Sequence, residues 1–212
     1  MKFQAKASAD FEIVPSGNHV AICNAVVDLG VQPGRGMYPD PKHECYVRFE
    51  LPTETIKYQK DGKDLEGPMS IGRTFTASMS EKANLRKFIE GWFGKKFPND
   101  DAAADFDLKA VLGKKCLLNV THTEKNGKTY ANVTAAAPIP RGMTAEYAQH
   151  NVSLYFSLDT PDQKAFDKMP KWIREKIEAR IVPQNTVTPQ RASHDTQADT
   201  EVDSALDDDI PF

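Results

Sequence analysis

The chain has 212 residues, 40% of them hydrophobic, and 27 Lys plus Arg stand against 30 Asp plus Glu for a formal net charge of −3. This length suits one full domain with extensions or two small ones, and no apolar run approaches the roughly 20 residues that a membrane-spanning helix requires. The net charge joins two unlike parts: residues 183–212 hold seven carboxylates against Arg191 alone, net −6, which leaves a body of +3. The lysines near Met1 have no apolar stretch behind them, so no secretory signal is expected. Cys23, Cys45 and Cys116 are odd in number and widely spaced among apolar neighbours, which suits reduced thiols in a cytoplasmic protein rather than a disulfide framework.

In chain order, Pro15-Ser16-Gly17-Asn18 precedes a Val- and Ile-rich strand over 19–29, apolar on both faces and closed by Gly30. Residues 31–42, with three prolines and two glycines, predict a long loop. Period-2 alternation returns over 43–51, with Cys45, Val47, Phe49 and Leu51 on one face and Glu44, Tyr46, Arg48 and Glu50 on the other. Residues 53–68 are polar around Asp61-Gly62 and suggest a short hairpin arm, and a third strand follows over 70–79, with Arg73 on its apolar face. Ser80 is the expected N-cap of a helix in which Leu85, Phe88, Ile89 and Trp92 form one apolar stripe, stopped at Gly94. After an acidic loop, residues 106–112 predict a further helical turn. Strands over 115–123 and 128–137 flank Asn126-Gly127, a strong hairpin signal because both residues tolerate positive φ.

Three strands, a helix and a two-stranded hairpin make the order of an OB-fold, a five-stranded Greek-key barrel with its helix between strands three and four. The expected fold class is therefore all-β with added helices, the barrel occupying 1–140. An extension over 141–182 follows, comprising an added strand over 152–158, a helix capped by Thr160 with Pro161 and Gln163 behind it, and a helix from Pro170 in which Trp172, Ile173, Ile177 and Ile181 dock on the barrel. Residues 183–212 have almost nothing to bury and predict a disordered acidic tail.

OB architecture places ligands on the middle strands and between the first-to-second and fourth-to-fifth loops. Those places hold Arg35, Tyr38, Lys42 and His43, then Tyr46, Arg48 and Arg73, then Lys125, Lys128 and Tyr130. Cations interleaved with aromatics suit sequence-independent single-strand binding, in which bases stack on rings and lysines or arginines neutralise phosphates. For Tyr46 and Tyr130 the competing reading is that they cover an outer sheet face or pack under the extension. Trp92 lies in register with the helix stripe and reads as core; Phe93 and Phe97 are open between the two roles. His43 with Cys45, and Cys116 with His122, lack the spacing of a zinc site, so no metal and no cofactor are expected. Asp100, Asp101, Asp105 and Asp107 are the only candidates for a two-metal nuclease, and a helix-flanking role is simpler. No Walker loop, nucleophile elbow or dinucleotide fingerprint is present, so the chain reads as a non-enzyme with no catalytic residues.

The last six residues, Asp207-Asp208-Asp209-Ile210-Pro211-Phe212, put an apolar tip on an acidic arm, suited to burying Phe212 in a partner's pocket while the aspartates meet a basic rim. This hexapeptide resembles the C-terminal tip of bacterial single-stranded DNA-binding proteins, with Leu206 where that family often has Phe. The body is similar instead to phage-encoded single-stranded DNA-binding proteins. The similarity rests on Leu85-Arg86-Lys87-Phe88-Ile89-Glu90-Gly91-Trp92, on Phe106-Asp107-Leu108 with Leu112-Gly113-Lys114, and on Asn126-Gly127-Lys128-Thr129-Tyr130-Ala131-Asn132-Val133. Pro170-Lys171-Trp172-Ile173-Arg174-Glu175-Lys176-Ile177 resembles a helix found after the barrel in the same phage proteins. The resemblance implies an OB-fold, single-stranded DNA as ligand, a role in phage DNA replication, recombination or repair, and host or phage replication and repair proteins recruited by the tail. Self-association is left open. Alternatives are a strand-annealing recombination protein, a metal-dependent nuclease, and an adaptor whose barrel binds peptide.

Overall fold

The computed structural model describes residues 12–182 apart from Arg35, Asp61, Thr144 and Ala145. Five strands, β1 (Gly17–Gln32), β2 (Lys42–Lys60), β3 (Lys63–Thr76), β4 (Lys115–Lys125) and β5 (Lys128–Ala137), form one curled antiparallel sheet in the order β3-β2-β1-β4-β5. Helix α1 (Asn84–Phe93), the short α2 (Asp100–Ala104) and a 3-10 turn (Leu108–Val111) lie between β3 and β4. The chain continues through β6 (Leu154–Phe156), α3 (Gln163–Asp167) and α4 (Lys171–Glu178).

The length of β1 departs from the sequence reading, and a bulge explains it. The register against β2 shifts between Cys23 and Ala25, so Asn24 is an inserted residue. Before the insertion Ala21 and Cys23 face the barrel core; after it Val26 does, while Ala25, Val27 and Leu29 join a second cluster on the outer side. One strand thus serves two cores, which is why both of its faces read as apolar. A second shift lies between Asp28 and Gly30, where the Gly30 N–H donates to Asp28 Oδ1 at 2.8 Å and the strand runs on to Gln32. Gly30 bends the strand rather than closing it.

The expected hairpin arm is the continuation of β2 and β3, which stay paired as far as Lys60 and Lys63, well past the last β1 partner at Glu50. Pro52 is accommodated because the β2–β3 register shifts between Leu51 and Thr55, and an irregularity needs no ladder donor there. In the β4–β5 turn Asn126 and Gly127 have φ of 52° and 69°, as a two-residue hairpin requires.

Helix α1 packs into the core of the curled sheet. Leu85, Phe88, Ile89 and Trp92 are buried, the Trp92 ring lies 5.3 Å from Phe49 and its Nε1 donates to the Lys115 carbonyl at 2.9 Å. The helix begins later than expected: Ala83 is its N-cap, and the Ser80 carbonyl instead accepts from Ala83 N in the preceding turn. Residues 100–104, read as loop, make a helical turn because Asn99 Oδ1 accepts from Ala102 N. Asp162 likewise replaces Thr160 as the cap of α3, accepting from Lys164 N at 2.8 Å.

The C-terminal segment crosses the outer face of β2. Glu50, fully buried, accepts from the backbone N–H groups of His150 and Asn151, from Asn151 Nδ2 and from Asn24 Nδ2. Further along, β6 pairs in parallel with Ala25, Val26 and Val27 of β1, on the edge that β4 leaves after Ile22. Ile173 and Ile177 of α4 then pack on Ala25, Val27, Leu29 and Tyr46, and Lys176 Nζ meets Glu44 Oε2 at 2.5 Å. Burying each isoleucine contributes about 1.5–3 kcal/mol, enough to hold a short helix that is marginal alone. Among the described residues no helix is long and apolar enough to cross a membrane.

Candidate nucleic-acid interface

The outer strands β3 and β5 do not share a ladder; a side chain joins them. Arg73 Nη1 donates to the Val133 and Thr134 carbonyls at 3.1 and 2.9 Å, and the guanidinium lies 4.7 Å from the Phe75 ring centre. Partial burial lowers its pKa, yet guanidinium stays charged at any ordinary pH. Arg73, expected on the binding surface, bridges β3 and β5 because it shares a face with Ile71 and Phe75, and it also lines the cleft beside that bridge.

Beside that bridge runs an open cleft. One stretch, of about 370 Å³, is lined by Val14, Ile56, Met69, Ile71, Gly72 and Tyr130; a second, of about 440 Å³, is lined by Gly72, Arg73, Thr74 and residues 131–134 of β5. Tyr130, paired with Thr123 across the β4–β5 ladder, is 48% exposed at the rim. Lys125 and Lys128 face each other at the end of the same hairpin and are exposed. The sheet therefore brings together a half-exposed ring, two cations and an open trough.

Tyr38 and Lys42 form a second group. Tyr38 is 67% exposed and Lys42 Nζ lies 4.9 Å from its ring centre, a cation–π contact. Lys42 pairs with Gln32 at one end of β1, whereas the β4 partners of β1 begin at Gly17, the other end. The two groups thus sit at opposite ends of the longest-serving strand and do not form one cluster. Arg35 lies outside the described residues, as do Asp207, Asp208, Asp209, Ile210, Pro211 and Phe212.

Tyr46 is a correction. It is 8% exposed, its ring meets Trp172 edge-on at 5.1 Å, and burial raises its pKa. No base can stack on it. Gly72 makes this packing work: a Cβ there would sit 2.2 Å from the Tyr46 hydroxyl oxygen. Arg48, on the same face, donates through Nε to Asn24 Oδ1 at 2.9 Å and is part-exposed. The reading of Tyr46 as packed under the extension is the one that holds.

Trp172, expected to dock, is 48% exposed and is the ring that replaces Tyr46 on the surface. The sequence signal was available: Ile173 and Ile177 define the buried stripe, and Trp172 precedes it by one residue. Lys109, Lys164 and Lys168, which border Arg48 across a groove, gave no signal, since they come from separate segments that only the fold brings together. Two of the acidic residues near α2 have structural partners. Asp100 Oδ1 pairs with Arg86 Nη1, and Asp107 Oδ1 accepts from Lys109 N. Among the described residues no three metal-ligating side chains are grouped. His43 donates to Asp28 Oδ1 at 2.6 Å and His122 to the Val14 carbonyl at 2.8 Å.

No protein-family model matches the chain, and comparison with curated proteins gives no match.

Proposed function

We propose that this chain is a non-enzymatic, sequence-independent single-stranded DNA-binding protein built on an OB-type barrel, acting in DNA replication, recombination or repair, with its acidic tail recruiting partners. The observation that carries this reading is the rim of the β3–β5 cleft, where exposed Tyr130 stands beside Lys125 and Lys128. A single strand needs a trough open along its length, a ring for bases to stack on and cations spaced for phosphates. The strand order, the helix between β3 and β4 and the Arg73 bridge all fit an OB barrel. A body of only +3 is too weakly charged to bind by bulk attraction, so the placement of its cations matters. The resemblance of the hairpin, α1 and tip to phage and bacterial single-strand binders points the same way.

The test is a titration of single-stranded and double-stranded oligonucleotides against the wild-type chain and the Tyr130→Ala and Lys125→Ala/Lys128→Ala variants. Binding is expected for single strands alone, weakened by about 1–3 kcal/mol in Tyr130→Ala. The double lysine variant should flatten the logarithmic salt dependence by about 1.4, near 0.7 per lost phosphate contact. Equal affinity for duplex, or unchanged binding in both folded variants, would move the site elsewhere.

A further inference from the structure

We propose that the C-terminal extension carries a second stretch of the single-strand track: a phosphodiester-binding groove bounded by Arg48, Lys109, Lys164 and Lys168, with Trp172 beyond it as a further stacking ring. This rests on the single-strand reading above and says where the strand goes after the barrel.

The groove, of about 480 Å³, lies between β2, the 3-10 turn, β6 and α3. Its four cations face one carboxylate, Asp162, whose Oδ1 already accepts from Lys164 N. On α4, Lys171 is paired with Glu175 and Lys176 with Glu44, whereas Arg180 donates to the Ile177 carbonyl. The ion pairs among the described residues include none of Lys109, Lys164 or Lys168, and all three are exposed. Lys109 Nζ instead lies 4.9 Å from the ring centre of Tyr155, on the groove floor. An excess of like charge gathered from three segments of chain along an open groove raises the local positive potential and attracts anions, and an elongated polyanion meets all of it at once.

Proximity to the cleft favours nucleic acid over an acidic peptide. Arg48, which bounds the groove, pairs with Gly72 in the β2–β3 ladder, and Gly72 lines the β3–β5 cleft, so the two troughs have lining residues side by side on neighbouring strands. Tyr46, two residues from Arg48 on the same face, supports the Trp172 ring edge-on while leaving it half exposed. Stacking ring and phosphate cations recur in the arrangement found at the hairpin.

The experiment uses the full chain with the triple substitution Lys109→Glu/Lys164→Glu/Lys168→Glu, and its triple-Ala counterpart as the milder change, titrated with oligo(dT) of about 8 and about 30 nucleotides, within and above the roughly 4–16 nucleotides that one barrel covers. The expected result is unchanged affinity for the short oligonucleotide and at least about tenfold weaker binding of the long one, with the salt slope reduced by about 2, near 0.7 per lost phosphate. The chain has two tryptophans, Trp92 at 2% exposure and Trp172. Fluorescence quenching by the long oligonucleotide should therefore vanish in Trp172→Phe. Wild-type and variant binding both lengths alike, with equal salt slopes, would overturn the groove while leaving the barrel site intact. Variants that lose binding of an acidic hexapeptide, Asp-Asp-Asp-Ile-Pro-Phe, while keeping long-oligonucleotide affinity would make it a protein site. Wild type that binds neither oligonucleotide would defeat the single-strand reading itself.

Discussion

Tyr46 and Tyr130 carry the same ring on the same sheet, and what separates them is what lies above each: a helix over one and solvent over the other. The same contrast governs the cysteines. Cys23, Cys45 and Cys116 are buried, and burial pushes the Cys23 and Cys45 thiols up to about 12 and the Cys116 thiol higher still. The thiolate is the reactive form, so near pH 8 almost none is present in the fold. Native protein should give no rapid reaction with a thiol-specific disulfide reagent, and three equivalents after unfolding in denaturant. Fast labelling of the folded chain would show that one of these thiols is more open than its packing indicates.

Among the elements, the junction of β3 and β5 depends on Arg73 more than on pairing. Arg73→Met keeps much of the apolar stem and removes the donors, leaving two carbonyls to find water. A loss of roughly 1–3 kcal/mol is expected, read as a lower urea midpoint. An unchanged midpoint would mean the edges are held by packing alone. Alternation made β2 to β5 and the hairpin turn legible, because a half-buried strand writes its two faces into every second residue. The α1 stripe was legible for the same reason at a period of 3.6. What was hidden was the Asn24 insertion, since a bulge leaves local composition unchanged while exchanging the faces beyond it. Ser80 and Thr160 are good caps by chemistry, but turns at residues 80–83 and an aspartate two residues on moved the helix starts. The burial of Tyr46 was hidden because nothing in the alternating pattern of β2 says that a segment some 100 residues later will cover its outer side.

For the whole molecule, the split between a +3 body and a −6 tail predicts separable tasks. A chain lacking residues 207–212 should keep or tighten its affinity for single strands, since an acidic arm competes with phosphate for the same cations. It should also lose capture of replication or repair proteins in a pull-down. Much weaker DNA binding by the truncated chain would contradict that division. The charge balance of the intact chain is thus a poor guide to its ligand, and the position of a few exposed lysines and rings a better one.

The parallel pairing of β1 with β6 ties completion of the sheet to the progress of synthesis. Ala25 waits for Leu154, about 130 residues downstream, before that edge of the sheet is complete. At 5–20 residues per second the ribosome needs roughly 6–26 s to cover this interval. Throughout it Val27, Leu29 and Tyr46, the apolar patch that α4 later covers, stay open on the nascent chain. The first strand to be made is the last to be finished, so the extension that covers Tyr46 also decides when the newborn sheet stops being sticky.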